Sequence, residues 1–338
     1  MHLIIEEYGA YLSKHQGRLR VEKRQQRLRE VPIMHLEQIL ICSNGVSISS
    51  DVVRVCAEEG IPIHFLNSSQ GNDYGTLVSS GLSGMALTKR AQLQAYENEK
   101  GYQLAQAFVR GKIQNQANLL RYIAKNRKET NPQQYELLNA ASIAVYEQLL
   151  KIPSSQGVLN EQNRAQLMGL EGQAAHFYWQ AIAQIIPSEL NWPGRQTYGA
   201  SDHFNTALNY GYGVLRAQIR HALLLAGLEP NAGFLHTDRP GKPSLSLDLI
   251  EEFRQAAVDR VLIGQVNRGF QIVHDEQHRL DNNTRKRIAE KVLERLDSSD
   301  LYEGKRQALR HIIQSQARHI ATYVRGERPD YQPFTLSW

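Results

Sequence analysis

The 338-residue chain predicts an α+β protein: an N-terminal β-hairpin-rich domain followed by a larger all-α domain. Three observations point there. Short β-prone runs punctuated by glycine fill the first 85 residues, a Gly-, Ser- and Asn-rich stretch at 71–84 breaks the pattern, and helical periodicity then governs most of the chain. The length suits two domains and a large core.

Taken in order, Leu3–Ile5, Ala10–Ser13, Arg18–Glu22, Ile39–Ile41 and Ile61–Leu66 are the strands, separated by Gly9, Gly17, Gly45, Gly60 and Gly71, and they read as hairpins. Ser50–Glu59 reads as a short helix stopped by Gly60 and Pro62. Arg18, Arg20, Lys23, Arg24, Arg27 and Arg29 crowd one hairpin; the reading is a solvated basic edge that discourages strand pairing, with phosphate contact as the alternative. The domains divide as 1–85, 86–328 and a tail, 329–338, that is either docked or unstructured.

In the helical part, Thr88 to about Asn126 reads as one long helix on which Lys112, Asn115, Gln116 and Arg121 face water, with nucleic-acid contact the alternative. Further helices cover Gln134–Leu150, Asn163–Ile185 and a stretch ending at Ala226 that Ser201 or Asp202 caps. The Asn163–Ile185 helix carries an apolar face of Leu167, Ala174, Ala175, Tyr178 and Ile182 into which Glu171 intrudes. A carboxylate buried there needs a partner or a cation; a partly exposed glutamate is the plainer alternative. Asn205, Asn209, Tyr212 and Arg216 form a polar stripe leading toward the next loop, so they either meet solvent or support a site. That loop, turn-rich with Pro240, Gly241 and Pro243, carries His236 just ahead of a helix capped by Ser244 or Ser246. On this helix Asp248, Glu251 and Glu252 stand at i, i+3 and i+4, which puts at least two carboxylates on one side. A last helix spans about Leu301–Val324.

Composition narrows the function. Lys plus Arg number 39 against 34 for Asp plus Glu, a net +5 that permits acidic partners. Cys42 and Cys56 lie in apolar segments, as buried thiols of a reducing, cytoplasmic compartment do. The opening Met-His-Leu-Ile-Ile is too short for a signal sequence, and no apolar run approaches the roughly 18 residues of a membrane span, so membrane insertion is not expected. Phosphate-loop, nucleophile-elbow, Cys-x-x-Cys and His-Glu-x-x-His patterns are absent. What remains is Glu171, His236 and the acids at 248–252: oxygen-rich ligation with one imidazole, which suits Mg²⁺ or Mn²⁺ and phosphodiester chemistry.

Leu-Met-Gly-Leu-Glu-Gly-Gln-Ala-Ala at 167–175, Asn-Thr-Ala-Leu-Asn-Tyr-Gly-Tyr at 205–212, Gly-Phe-Leu-His at 233–236 and Asp-Leu-Ile-Glu-Glu-Phe-Arg at 248–254 resemble CRISPR-associated protein one, the integrase of CRISPR adaptation. Gly-Ala-Tyr-Leu-Ser at 9–13 and Gly-Lys-Ile-Gln-Asn-Gln at 111–116 extend the likeness across the chain. The resemblance implies a divalent ion held by Glu171, His236 and Glu251, with Asp248 and Glu252 as substitute ligands. It implies a homodimer joined through the β-domains, and two such dimers flanking a dimer of CRISPR-associated protein two in a heterohexamer. The implied reaction is insertion of protospacer DNA into the repeat array, a 3′-hydroxyl attacking a phosphodiester. Arg239 and Lys242 are the expected phosphate contacts, and Tyr212 and Asn209 are expected beside the site or on the DNA. A structure-selective nuclease acting on branched DNA, or a non-catalytic nucleic-acid scaffold, are the competing readings.

Overall fold

The computed structural model describes residues 1–66, 73–79, 86–154 and 157–336. Residues 80–85, on which the expected domain boundary falls, lie outside that set.

The N-terminal part holds two four-stranded sheets. One is a meander of β2 (Tyr11–His15), β3 (Arg18–Lys23) and β4 (Gln26–Pro32), with the two-residue β6 (Ser47–Ile48) parallel to β2. The other runs β1 (His2–Ile5), β5 (Gln38–Ile41), β7 (Ile63–Leu66), β8 (Asp73–Leu77), and its first three strands are parallel. The expectation of hairpins therefore holds for β2–β4 and for the antiparallel β7–β8 pair, and fails for β1, β5 and β7 among themselves, which pair in parallel across long connections. α1 (Ser50–Glu58) supplies one of these.

Burial shows why the parallel strands are apolar at nearly every position. Leu3, Ile5, Ile39, Ile41 and Ile63 join the core of the β-part, whereas Ile4, Leu40, Cys42 and Leu66, alternating with them, join the helical core. A sheet covered on both faces has no polar side to show. Cys42 and Cys56 are both buried and form no disulfide. In the basic hairpin Arg18, Arg20 and Arg27 converge on Glu30 and Arg29 reaches Glu7, which leaves its cations in excess of the acids they meet.

The helical part comprises α2 (Ala86–Tyr96), α3 (Glu99–Lys125), α4 (Pro132–Leu150), α5 (Glu161–Ala183), α6 (His203–Leu225), α7 (Ser244–Ile250), α8 (Arg260–Val266), α9 (Asn282–Asp297) and α10 (Leu309–Arg325). The expected long helix breaks at Asn98, whose side chain accepts from Lys100 N and caps α3. The last helix starts later than expected because β9 (Ser299–Tyr302) and β10 (Lys305–Ala308) form a hairpin first. Among the described residues no helix is long and apolar enough to cross a membrane.

α6 packs beneath the parallel sheet, where His64 of β7 meets His221 edge to face with ring centroids 5.9 Å apart. Burial holds the His64 pKa down to about 3, with His221 and Arg220 adding to the effect, and burial holds His221 down to about 4. Both folded values lie below the unfolded one near 6.5, so the associated stability is present above pH 6.5 and is lost as pH falls toward 4 and 3. Acidification from pH 7 to 4 is expected to cost the protein on the order of a few kcal/mol more than it costs a His64→Gln/His221→Gln variant in urea unfolding. Parallel pH profiles would contradict this account.

Candidate active site

α3 brings the first charge to the centre. Lys112 is 9% exposed, and its ammonium contacts Glu171 of α5 and lies 2.6 Å from Glu251 Oε2. Glu251, at the C-terminal end of α7, is held from its other oxygen by Arg254 at 3.0 Å. Burial opposes the Lys112 charge, yet the two carboxylates outweigh it and raise the pKa above its ordinary value. Burial likewise opposes ionisation of Glu251, but Arg254, then Lys112 and His236, hold it down to about 2. Lys112 and Glu251 are thus each held charged by the other at low exposure.

His236 arrives on its loop through one residue, Asp248. The fully buried Asp248 carboxylate accepts from Phe234 N at 2.6 Å, Leu235 N at 3.1 Å and His236 N at 2.9 Å. It also meets His236 Nδ1 at 2.7 Å. A carboxylate can only accept, so Nδ1 carries the hydrogen and Nε2 of the neutral ring keeps its lone pair. Gly233 is required for the approach: a Cβ there would stand 2.6 Å from Ser244 Cβ and 3.0 Å from Asp248 Oδ2. No side chain caps α7, and the Ser244 hydroxyl instead donates to Thr237 O and Lys242 O, which ties the loop shut.

After Arg254 the chain makes a π-helical turn, Gln255–Asp259, which carries Asp259 to the Tyr178 and Tyr212 hydroxyls. Burial raises the Asp259 pKa to about 6 against those two donors and the charges of Arg254 and Arg195. Arg254 lies 4.7 Å and Arg195 5.4 Å from the Tyr212 ring centroid. Arg195 is in turn gripped by Asn205 at 3.1 Å and Asn209 at 2.6 Å. Lys112, Glu171, Trp179, Arg195 and Arg254 line a cleft of about 610 Å³.

The structure gathers Glu171 and Glu251 about one ammonium, with His236 close enough to Glu251 for an imidazolium there to act on it. The ligand atoms of Glu171, His236 and Glu251 do not all lie within 4.8 Å of one another; the trio of described residues that does is His2, Glu37 and Asp297, where Arg310 already bridges the two acids. The donor set nonetheless fits a hard divalent cation: two carboxylates already surround a positive charge, and the imidazole is held as a metal-ligating histidine is, with its far nitrogen on a carboxylate.

Neither substitute ligand is free to serve. Asp248 is taken up by the His236 loop. Glu252 turns the other way, accepting from Tyr331 OH at 2.6 Å, Phe334 N at 2.8 Å and Gln316 Nε2 at 2.9 Å, and burial pushes its pKa to about 8. Tyr212 and Asn209 are corrected from DNA contacts to internal supports: Tyr212 is 6% exposed with its hydroxyl on Asp259, and Asn209 grips Arg195 and Thr197 O. Arg239 is exposed on the His236 loop and Lys242 half-buried beside it.

Lys112, Asn115 and Gln116, expected in water, are buried, and Arg121 alone of that set is exposed. Gly111 was the available signal: a Cβ there would stand 2.9 Å from Pro333 Cβ and 3.0 Å from Glu252 Cγ, so that face of α3 is covered. The cover is the tail, docked by Asn115 onto Phe334 O at 2.9 Å and Leu336 N at 2.7 Å.

A family model described as CRISPR associated protein Cas1 matches residues 3–294. The chain is similar to the "CRISPR-associated endonuclease Cas1 1" of Archaeoglobus fulgidus, 36% identical over all of both chains. Its fold is similar to that of a casposase solved bound to its integration product, with TM-score 0.81 and 21% identity over 98% of this chain and 92% of the other. It is also similar to a chain of a Cas6-RT-Cas1–Cas2 complex, with TM-score 0.73 and 20% identity over 99% of this chain and 36% of that one.

Proposed function

Because the chain belongs to the Cas1 family of CRISPR-associated proteins, we propose that it is a divalent-metal-dependent DNA endonuclease and integrase of CRISPR adaptation. The observation that carries this reading is the pair of carboxylates from α5 and α7 drawn about one positive charge beside an imidazole whose Nδ1 is anchored. Glu171, Glu251 and His236 would hold Mg²⁺ or Mn²⁺. That ion would polarise a phosphoryl oxygen and offset the charge that builds as phosphorus is attacked.

The chain's own groups prepare this. Asp248 fixes the imidazole tautomer, and Arg254 holds Glu251 ionised and in place. Arg195 and Arg254 bring positive charge to the cleft, where a phosphodiester needs it. In the proposed reaction a 3′-hydroxyl oxygen of the incoming strand bonds to phosphorus as the bond to the departing 3′-oxygen breaks. The hydroxyl proton is given up and the departing oxygen takes one, so no covalent enzyme intermediate forms. A homodimer, and assembly with a dimer of Cas2, the protein named beside Cas1 in the complex above, belong to the same proposal.

Lys112 is in competition with the ion. Lys112→Met is expected to tighten Mn²⁺ binding at least about tenfold, or ~1.4 kcal/mol, because an ammonium between two carboxylates is worth more than that at low exposure. Isothermal titration of Mn²⁺ in the absence of DNA reads it, and equal affinities would remove Lys112 from the account.

A structure-selective nuclease would use the same residues on branched DNA. A supercoiled plasmid carrying a leader and repeat separates the two: joining of a labelled protospacer supports integration, strand hydrolysis without joining supports the nuclease, and neither outcome with Mg²⁺ or Mn²⁺ overturns both.

A further inference from the structure

A second concave surface lies apart from the cleft, between the C-terminal half of α3, α8 and the end of α9. Its volume is about 560 Å³, and Arg127, Arg260, Arg268, Lys291 and Arg295 all contribute to its lining. Among the described residues Glu294 is the one carboxylate in that lining, and it is already bound to Lys291 at 2.7 Å. Asp300, outside the lining, pairs with Arg295 at 2.6 Å, so among the described residues the lining cations, Arg127 and Arg268 included, outnumber the acids that pair with them.

Three of these cations are held in place. Arg295 donates to Ala256 O at 3.0 Å as well as to Asp300, Arg127 donates to Gln134 Oε1 at 3.0 Å, and Arg260 lies 4.8 Å from the Tyr122 ring centroid. Burial lowers the Arg295 pKa, the Asp300 carboxylate works against that, and the Arg260 charge adds to the lowering. Guanidinium groups fixed within reach of one another's charge form a seat for an anion.

The position of the pocket says which anion. Lys112–Glu251, Asn115–Glu252 O and Tyr122–Arg260 contacts register α3 parallel to the chain that runs from α7 into α8. Ten residues of α3 separate Lys112 from Tyr122, so the pocket lies about 15 Å along the helix from the carboxylate pair. Along duplex DNA that is about four or five phosphates of one strand.

We propose that this pocket seats a phosphate of the DNA backbone about four or five base pairs from the bond being cut, on a path that follows the α3–α8 groove. The inference rests on the DNA chemistry proposed above. It places a backbone contact where sequence reading found none, since Arg127 just past α3, Arg268 just past α8 and Lys291 on α9 lie far apart in the chain.

The test uses the pair Arg268→Gln/Lys291→Gln, the first exposed and the second half-buried, which takes part in neither the catalytic cluster nor the core. Binding of a labelled branched duplex is measured in EDTA across a salt series. The slope of log K against log salt is expected to fall in magnitude by about 0.9, the value for the one phosphate that the variant no longer neutralises. A methylphosphonate scan should weaken binding of the unchanged protein at one position about four or five base pairs from the cut, and leave the double variant unaffected there. An unchanged slope with normal metal-dependent cleavage overturns the pocket and leaves the catalytic reading standing. A reduced slope in a protein that never cleaves or joins DNA supports the pocket and overturns the catalytic reading. No DNA binding by the unchanged protein overturns both.

Discussion

Glu171→Ala and His236→Ala are each expected to lower metal-dependent DNA cleavage at least about a hundredfold while leaving urea unfolding nearly unchanged. The size of the rate effect follows from removing a ligand of a cation that supplies several kcal/mol of charge stabilisation, at 1.36 kcal/mol per tenfold. The small effect on stability follows from the geometry. Removing Glu171 leaves Lys112 still paired with Glu251, and removing the imidazole leaves Asp248 with its three backbone donors. Glu251 is a poorer probe, because its loss strands the buried Arg254 guanidinium, and a folding defect would mimic a catalytic one. Cleavage that survives either Glu171→Ala or His236→Ala at full rate would mean the cluster is structural.

Asp248→Ala is expected to fail in the opposite sense, by unfolding. Three buried backbone N–H groups, of Phe234, Leu235 and His236, lose their common acceptor at once. At about 1–3 kcal/mol for each buried donor left unsatisfied, the loss is roughly 3 kcal/mol or more. The same substitution frees the His236 tautomer, so cleavage should fall even at temperatures where the variant stays folded. Urea unfolding gives the first quantity, and cleavage assayed well below the melting temperature gives the second. A loss under about 1 kcal/mol would show that the loop is held by something other than this carboxylate.

These two outcomes separate residues that neighbour one another in the sequence. Asp248, Glu251 and Glu252 share a helical side by spacing, and spacing alone makes them equivalent. The structure sends them three ways: Asp248 under the His236 loop, Glu251 to Lys112 and Arg254, Glu252 to the tail. Each direction is set by a partner distant in the chain, Glu252 most clearly by Tyr331, Phe334 and Gln316.

Glu171 was legible because a charge on an apolar helical face has to be accounted for. Lys112 was not, because a lysine on a long helix looks the same whether water or carboxylates surround it. Its burial depends on α5, α7 and the tail all closing over the middle of α3, and within residues 99–125 Gly111 hints that the face is covered without saying by what.

The sequence by itself determined the α+β division, the approximate place of most of the helices, the polar residues out of place on apolar faces and the family to which their spacing belongs. Those properties are written in local periodicity and turn chemistry, which depend on neighbours a few residues apart. Only the tertiary structure decided that β1, β5 and β7 run parallel, which acid meets which base, and where the excess cations collect. Such choices are made by packing between segments far apart in the chain, where burial makes a charge costly unless another segment supplies its partner.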